Sequence, residues 1–227
     1  YGDHRDLHSF PHDALPISNP VKVTGITNAI SIAANNNYTC SLLSDKTIQC
    51  WGRAMNGEFI GDTGSTTALA PVSIPSVTNA TQISVGQVNI CYHASTYDGY
   101  CIGSNTYGQL GTAPSYLSSS SNPYVIGWGV YSVAVGENQT CSITPQGSST
   151  TIIRCVGGNS TGQLGDGTTT DNYSGIPGVT GVTNPVTIAA GGSSTCAILT
   201  TGSLQCWGNN PGNSTNSSTT PVTVTGF

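Results

Sequence analysis

The sequence predicts an all-β chain built from repeated units of about four short strands. Three observations carry this. The 227 residues are rich in Gly, Ser, Thr, Asn and Val and poor in Leu, Met, Lys and Glu, a mix that favours strands and turns over helices. A pair of cysteines recurs four times in register. Between the turn residues run short apolar stretches such as "ISIAA" at 30–34, "TCSLL" at 39–43, "TIQCW" at 47–51 and "PVSI" at 71–74, the pattern of half-buried strands. Four strands in a unit of about 50 residues is the pattern of a β-propeller blade.

The chain opens on a segment unlike the rest. Residues 1–18, "YGDHRDLHSFPHDALPIS", hold three of the four histidines, His4, His8 and His12. Such a cluster could suggest a metal site, but "DLHSFP" and "HDALPIS" look like translated sequencing-adapter read-through. The segment is therefore set aside as foreign to the fold, and 19–227 is expected to hold the repeats.

The first unit, about 20–70, contains Cys40 and Cys50. The second, 71–122, contains Cys91 and Cys101, and the third, 123–176, Cys141 and Cys155. The fourth, 177–220, contains Cys196 and Cys206. "PVKVTGI" at 20–26 returns as "PVTVTGF" at 221–227, so a fifth unit is expected to start there and the chain to be a fragment. Five residues before each first cysteine stand Asn35, Gly86, Gly136 and Gly191. These residue types tolerate a left-handed backbone, which predicts a recurring turn or bulge. After each second cysteine come Trp51, Ile102, Val156 or Trp207, then Gly52, Gly103, Gly157 or Gly208. The large residue is expected to wedge between blades, with glycine allowing close backbone approach.

In "CSLLSDKTIQC" a hairpin turn centred on Asp45 places Cys40 opposite Cys50. The same construction opposes Cys91 and Cys101 around Thr96, and Cys196 and Cys206 around Thr201. In the third unit the extra residues fall in the turn "PQGSSTTII". Directly opposed residues at a non-hydrogen-bonded site lie about 4.5 Å apart at Cα, within reach of a disulfide. Four disulfides point to an oxidising compartment, extracellular or at the cell surface. The alternative, four dithiol metal sites, needs further ligands that the chain scarcely offers.

The order "GxxxTC", "CWG", "GQLGDGTTT" and "PVxV" resembles the RCC1-type (regulator of chromosome condensation) propeller repeat, most of all a secreted bacterial variety with paired cysteines. The resemblance runs over 20–227 and implies a ring of about seven four-stranded blades, of which four would lie here. The family often has histidine two positions before the first cysteine, where this chain has Tyr38, Asn89, Gln139 and Ser194. The fourth unit replaces "GQLG" with "NNPGNSTNSSTTP". The founding member's nucleotide exchange and chromatin binding need charged loops. Here only 7% of residues are charged and the net charge is −5, so that function is not expected.

The composition excludes more than it selects. There is no basic patch for nucleic acid and no apolar run of about 20 residues for membrane insertion. After residue 18 the acids are Asp45, Glu58, Asp62, Asp98, Glu137, Asp166 and Asp171, and His93 is the one histidine. Asp62 and Asp166 share a repeat position and are read as turn residues. "GDGTTTD" at 165–171 hints at a calcium loop but lacks the EF-hand spacing. No catalytic residue, metal ligand or cofactor is expected. Asn37, Asn79, Asn138, Asn159, Asn172, Asn213 and Asn216 begin N-x-S/T sequons, possible glycosylation sites in a secretory chain rich enough in these residues for chance matches. The low-complexity loops 115–123 and 212–220, with Tyr97, Tyr100, Tyr107 and Tyr116 nearby, suit adaptable polar recognition. The expected function is a non-catalytic binding module for a protein or glycan. The alternatives are an accessory module of an extracellular enzyme and a structural repeat of an adhesin or fibre. The other expected partner is the remaining blades of the same chain.

Overall fold

The computed structural model describes residues 21–35, 37–54, 67–212 and 216–226. The N-terminal segment with His4, His8 and His12, the stretch with Glu58 and Asp62, and Asn213 lie outside them. Among the described residues, fifteen strands form four antiparallel sheets. The first sheet is β1 (Ala29–Ala34), β2 (Tyr38–Leu43), β3 (Ile48–Arg53) and β4 (Thr67–Ser73), in chain order. The second is β5 (Ala80–Val85), β6 (Asn89–Ala94), β7 (Asp98–Ser104) and β8 (Ser119–Trp128). The third has β9 (Ser132–Val135), β10 (Gln139–Gln146) and β11 (Thr150–Gly157). The fourth has β12 (Pro185–Gly191), β13 (Ser194–Leu199), β14 (Leu204–Gly208) and β15 (Ser218–Thr223). The innermost strands β1, β5, β9 and β12 adjoin one another in order, which makes the sheets blades around one axis.

Each blade is organised by its central hairpin. Cys40 opposes Cys50, Cys91 opposes Cys101, Cys141 opposes Cys155 and Cys196 opposes Cys206. The Cα separations are 4.0, 4.1, 4.1 and 4.0 Å, and all four pairs are disulfides. At the first turn, Thr47 donates from its amide and hydroxyl to Asp45 Oδ1, which holds that carboxyl below its usual range. Between the second cysteine and the residue two beyond it the ladder to the outer strand slips by a bulge in the first, second and fourth blades. Gly52, Gly103 and Gly208 stand there with φ of 111°, 119° and 92°, a region costly for a side chain.

The third blade departs from four strands. In place of an outer strand it has an isolated bridge from Gly157 to Asn172 and an irregular segment, where Val179 donates to the Ile153 carbonyl. Pro177 has no N–H for a ladder, and Asn172 and Ser174 turn the chain back through bonds to the Ile176 carbonyl.

Blade boundaries are offset from the sequence units. The sheets span 29–73, 80–128, 132–157 and 185–223, so Pro71, Pro123 and Pro221 fall inside the outermost strands β4, β8 and β15. An outermost strand tolerates proline because its outward N–H has no ladder partner. The stretch expected to start a fifth unit therefore contributes residues 221–223 to the fourth sheet.

The core lies between blades. Tyr38, Cys40, Leu42 and Ile48 of the first blade pack with Ile83, Ile90, Tyr92 and Ile102 of the second. Cys91, Cys101 and Leu110 meet Val133 and Val135 of the third. Cys141, Ile143 and Ile153 meet Ile188, Ala197 and Trp207 of the fourth. Trp207 is fully buried and its Nε1 donates to the Gln163 carbonyl at 2.9 Å. Ile102 is equally buried, whereas Trp51 and Val156 are half-buried.

Candidate functional site

Strand alternation sorts the connections between two ends of the propeller. The β1–β2, β5–β6, β9–β10 and β12–β13 turns share one end with the long connections that follow β7 and β11. The hairpins 44–47, 95–97 and 200–203 lie at the other end.

The first end carries the axial mouth. A cavity of about 510 Å3 opens there, lined by Ala34, Asn35, Val85, Gly86, Val135, Gly136, Glu137, Gly191 and Gly192, among others. The positions two before each first cysteine bind successive blades together. Tyr38 Oη donates toward the carbonyls of Gly86 and Asn89, both at 3.1 Å. Asn89 Nδ2 reaches Thr140 Oγ1 at 3.1 Å, and Gln139 Nε2 reaches the Ser194 carbonyl at 3.3 Å. Asn35 Nδ2 also donates to the Gly86 carbonyl, and the Glu137 amide to that of Gly192 at 2.7 Å.

The recurring turn expected at Asn35, Gly86, Gly136 and Gly191 is present, with the amides of Asn35, Gly86 and Gly136 donating to the carbonyls of Tyr38, Asn89 and Gln139 and Gly191 opposite Ser194, but none of the four has positive φ. Close approach explains two of them instead. A Cβ on Gly86 would lie 2.4 Å from Val135 Cγ1, and one on Gly136 2.6 Å from the Gly192 carbonyl. Each glycine lets the neighbouring blade come close.

The long loops at this end are organised by two buried asparagines that motif reading left out of the site. Asn105 Oδ1 accepts the Leu110 amide at 2.7 Å, and its Nδ2 donates to the carbonyls of Thr112 and Leu117. Asn159 repeats this: Oδ1 accepts the Leu164 amide at 3.0 Å, and Nδ2 lies 3.1 Å from Asp166 Oδ1 and from the Thr168 and Thr170 carbonyls. Gln109 and Gln163 cap the amides two residues earlier. The signal was present as N-x-x-G-Q-L-G at 105–111 and 159–165. Asp166 accepts from the Thr168 amide and hydroxyl, and Asp171 from the Asn159 amide, so both aspartates serve the loop.

This bears on one sequon. Asn159 is fully buried with its amide nitrogen engaged, so a glycan there would require the loop to unfold. Asn37, Asn79, Asn138 and Asn172 are half-buried and Asn216 is exposed. Asn172 Nδ2 donates to the Ile176 carbonyl.

On these loops stand Tyr107, Tyr116 and Tyr173, respectively 44%, 80% and 50% exposed. Tyr107 and Tyr173 stand on either side of the junction of the second and third blades, each close to a glycine of the other's blade. A Cβ on Gly108 would lie 2.6 Å from Tyr173 Cβ, and one on Gly158 3.6 Å from Tyr107 Cγ. Tyr97 and Tyr131 form a second, edge-to-face pair at the opposite end, 6.3 Å apart. Tyr100 is instead stacked on Tyr92 between blades. His93 stands beside Tyr97, with Nδ1 2.7 Å from Thr81 Oγ1. Burial holds its imidazole below the usual range, opposed by the Val130 carbonyl and Asp98. Among the described residues no three His, Cys, Asp or Glu side chains converge as a metal site would require, and no helix is long and apolar enough to cross a membrane.

Comparison with known proteins places this architecture. The family model described as "Regulator of chromosome condensation (RCC1) repeat" matches residues 186–213. No curated protein matches by sequence. Yeast RCC1 (Prp20), solved in complex with Kap60, superposes with a TM-score of 0.73 at 16% identity, covering 91% of this chain and 51% of that one. Human WBSCR16 gives 0.74 at 15% identity, covering 90% and 55%. The ectodomain of the Physcomitrella patens receptor kinase CR4 gives 0.53 at 21%, covering 87% and 46%. The chain thus spans about half the length of the solved structures it matches. Residues 186–213 match the RCC1 repeat model, and the described residues share the β-propeller fold of yeast RCC1 and human WBSCR16, with a disulfide in each described blade.

Proposed function

We propose that the chain is a non-catalytic extracellular propeller module that binds a protein partner through the loop end around the axial mouth. The observation that carries this reading is the loop architecture. Asn105 and Asn159 fix two loops internally, and at the junction of their blades Tyr107 and Tyr173 stand half exposed. Rigid tyrosines offer contact area and a polar tip at low entropic cost. The fold supports a binding role by analogy, since yeast RCC1 (Prp20) was solved bound to Kap60; fold alone does not name a ligand. The four disulfides support an oxidising location. Further blades of the same protein would cover exposed Ile30 and Ile32 on the first sheet and Ile198 and Val222 on the fourth.

The same tyrosine pair favours a second reading, a glycan ligand, because sugar faces also stack on aromatic rings. Selection of a displayed peptide library and a parallel glycan array against the oxidised chain would separate the two. A Tyr107→Ser/Tyr173→Ser variant should lose the selected ligands while a Tyr97→Ser/Tyr131→Ser variant at the opposite end keeps them. Ligands that ignore the first pair and depend on the second would overturn the assignment of the binding end.

A further inference from the structure

The cleft between the second and third blades holds a polar cavity separate from the loop end, and its reading does not depend on the proposed function. Its origin is visible in the register. In the cleft between the first and second blades, the opposed pair Tyr92 and Tyr100 fills this place. The rings stack at 5.2 Å, and burial pushes the Tyr92 phenol well up. At the same register position the first blade has Ser41 and Gln49, the fourth Ala197 and Gln205, and the third Ser142 and Arg154. With serine and arginine in place of two rings, the cleft retains about 310 Å3 of open volume. Ser142, Thr144, Arg154 and Ser174 line it from the third blade, and Ile126 and Gly127 from β8.

One charge in this cavity lacks an opposite charge, and one buried hydroxyl lacks a partner. Arg154 is half-buried and always charged. Its Nη1 donates to the Gly175 carbonyl at 3.1 Å, and among the described residues it has no carboxylate partner. Thr144 is 8% exposed, and its Oγ1 is buried without a hydrogen-bond partner. Buried charges and buried polar atoms are ordinarily paired, because leaving them bare costs free energy. The guanidinium fork matches the two oxygens of a carboxylate. One cation with neighbouring hydroxyls balances a single negative charge, which favours a carboxylate over a phosphate dianion.

We propose that this cleft is a carboxylate-binding site, with Arg154 holding the ligand oxygens and the Thr144 hydroxyl supplying a second donor. The carboxylate of a partner's acidic side chain and that of a free organic acid share this chemistry, and the test distinguishes them. The chain has three arginines, Arg5, Arg53 and Arg154, so side-chain Nε–Hε resonances are few and Arg154→Gln identifies the relevant one. The oxidised protein is titrated with glutarate, with a capped Gly-Gly-Glu-Gly-Gly peptide, with its Gln counterpart and with inorganic phosphate.

A saturating shift of the Arg154 resonance with a carboxylate, absent with the Gln peptide and with the Arg53 signal unmoved, is expected. Response to the peptide alone assigns a partner's side chain, to glutarate alone a free acid, and to both the carboxylate group itself. Arg154→Lys, which keeps the charge and loses the fork, and Thr144→Val should each raise Kd about tenfold, with thermal melting checking that each variant folds. No saturable shift with either carboxylate, an equal shift with the Gln peptide, or equal binding of phosphate overturns the proposal. Unchanged affinity in Thr144→Val overturns the two-donor geometry.

Discussion

Replacing Asn159 with alanine tests whether one side chain holds the third blade's loop. Its Oδ1 is the acceptor for the buried Leu164 amide, and its Nδ2 lies 3.1 Å from four oxygens. An amide nitrogen has two hydrogens, so about three hydrogen bonds are lost, each worth about 1 kcal/mol net. The Leu164 N–H is also left buried without an acceptor, which adds about 1–2 kcal/mol. The expected destabilisation of the loop is therefore about 4 kcal/mol. Because the loop also presents the Gln163 carbonyl to Trp207, the tryptophan spectrum should move to longer wavelength. Native-state hydrogen exchange reads the effect locally: at about 1.4 kcal/mol per decade, the Leu164 amide should exchange some hundredfold or more faster. An Asn159→Ala protein whose Leu164 amide keeps its protection, or whose urea midpoint is unmoved, would refute the reasoning.

Two further outcomes follow from burial. Trp207→Ala should cost about 3–5 kcal/mol in urea unfolding, and Trp51→Ala, at the same repeat position but half-buried, about half as much; equal losses would contradict the packing described. His93 is held below its usual pKa by burial, so the folded state resists protonation. Its contribution to stability is fully present above pH about 6.5 and declines as pH falls through the lowered folded value. His93→Gln should flatten the melting-temperature profile between pH 7 and 5, and a profile unchanged by the substitution would count against this.

The sequence made the blade hairpins legible because their determinants are local. A turn centred on Asp45 sets the register, register opposes the cysteines, and the same construction works in all four blades. The contacts between blades were not legible, because their partners lie about fifty residues away in the chain. Asn89 and Gln139 looked like departures from a histidine pattern, yet each reaches the next blade. Gly86 and Gly136 suggested left-handed turns because their local freedom was visible and the approaching blade was not. Asn159 read as a sequon because the carbonyls that occupy it belong to a loop whose path the motif does not state. The third blade's missing strand had a local sign in Pro177, but an edge strand tolerates proline elsewhere in this chain, so the residue alone did not decide it.

The four disulfides have a consequence for how the chain matures. Eight cysteines can be joined in 105 ways. Here each joins its nearest cysteine in sequence, at separations of 10, 10, 14 and 10 residues. Closing a loop of that size takes on the order of 10–100 ns, and longer loops close at greater entropic cost. The native set is thus the one that contact frequency favours, and each hairpin can be oxidised as soon as it emerges, before the following blade exists. No disulfide crosses from blade to blade, so the blades pack together as units already sealed, and reduction of one leaves the sorting of the others undisturbed.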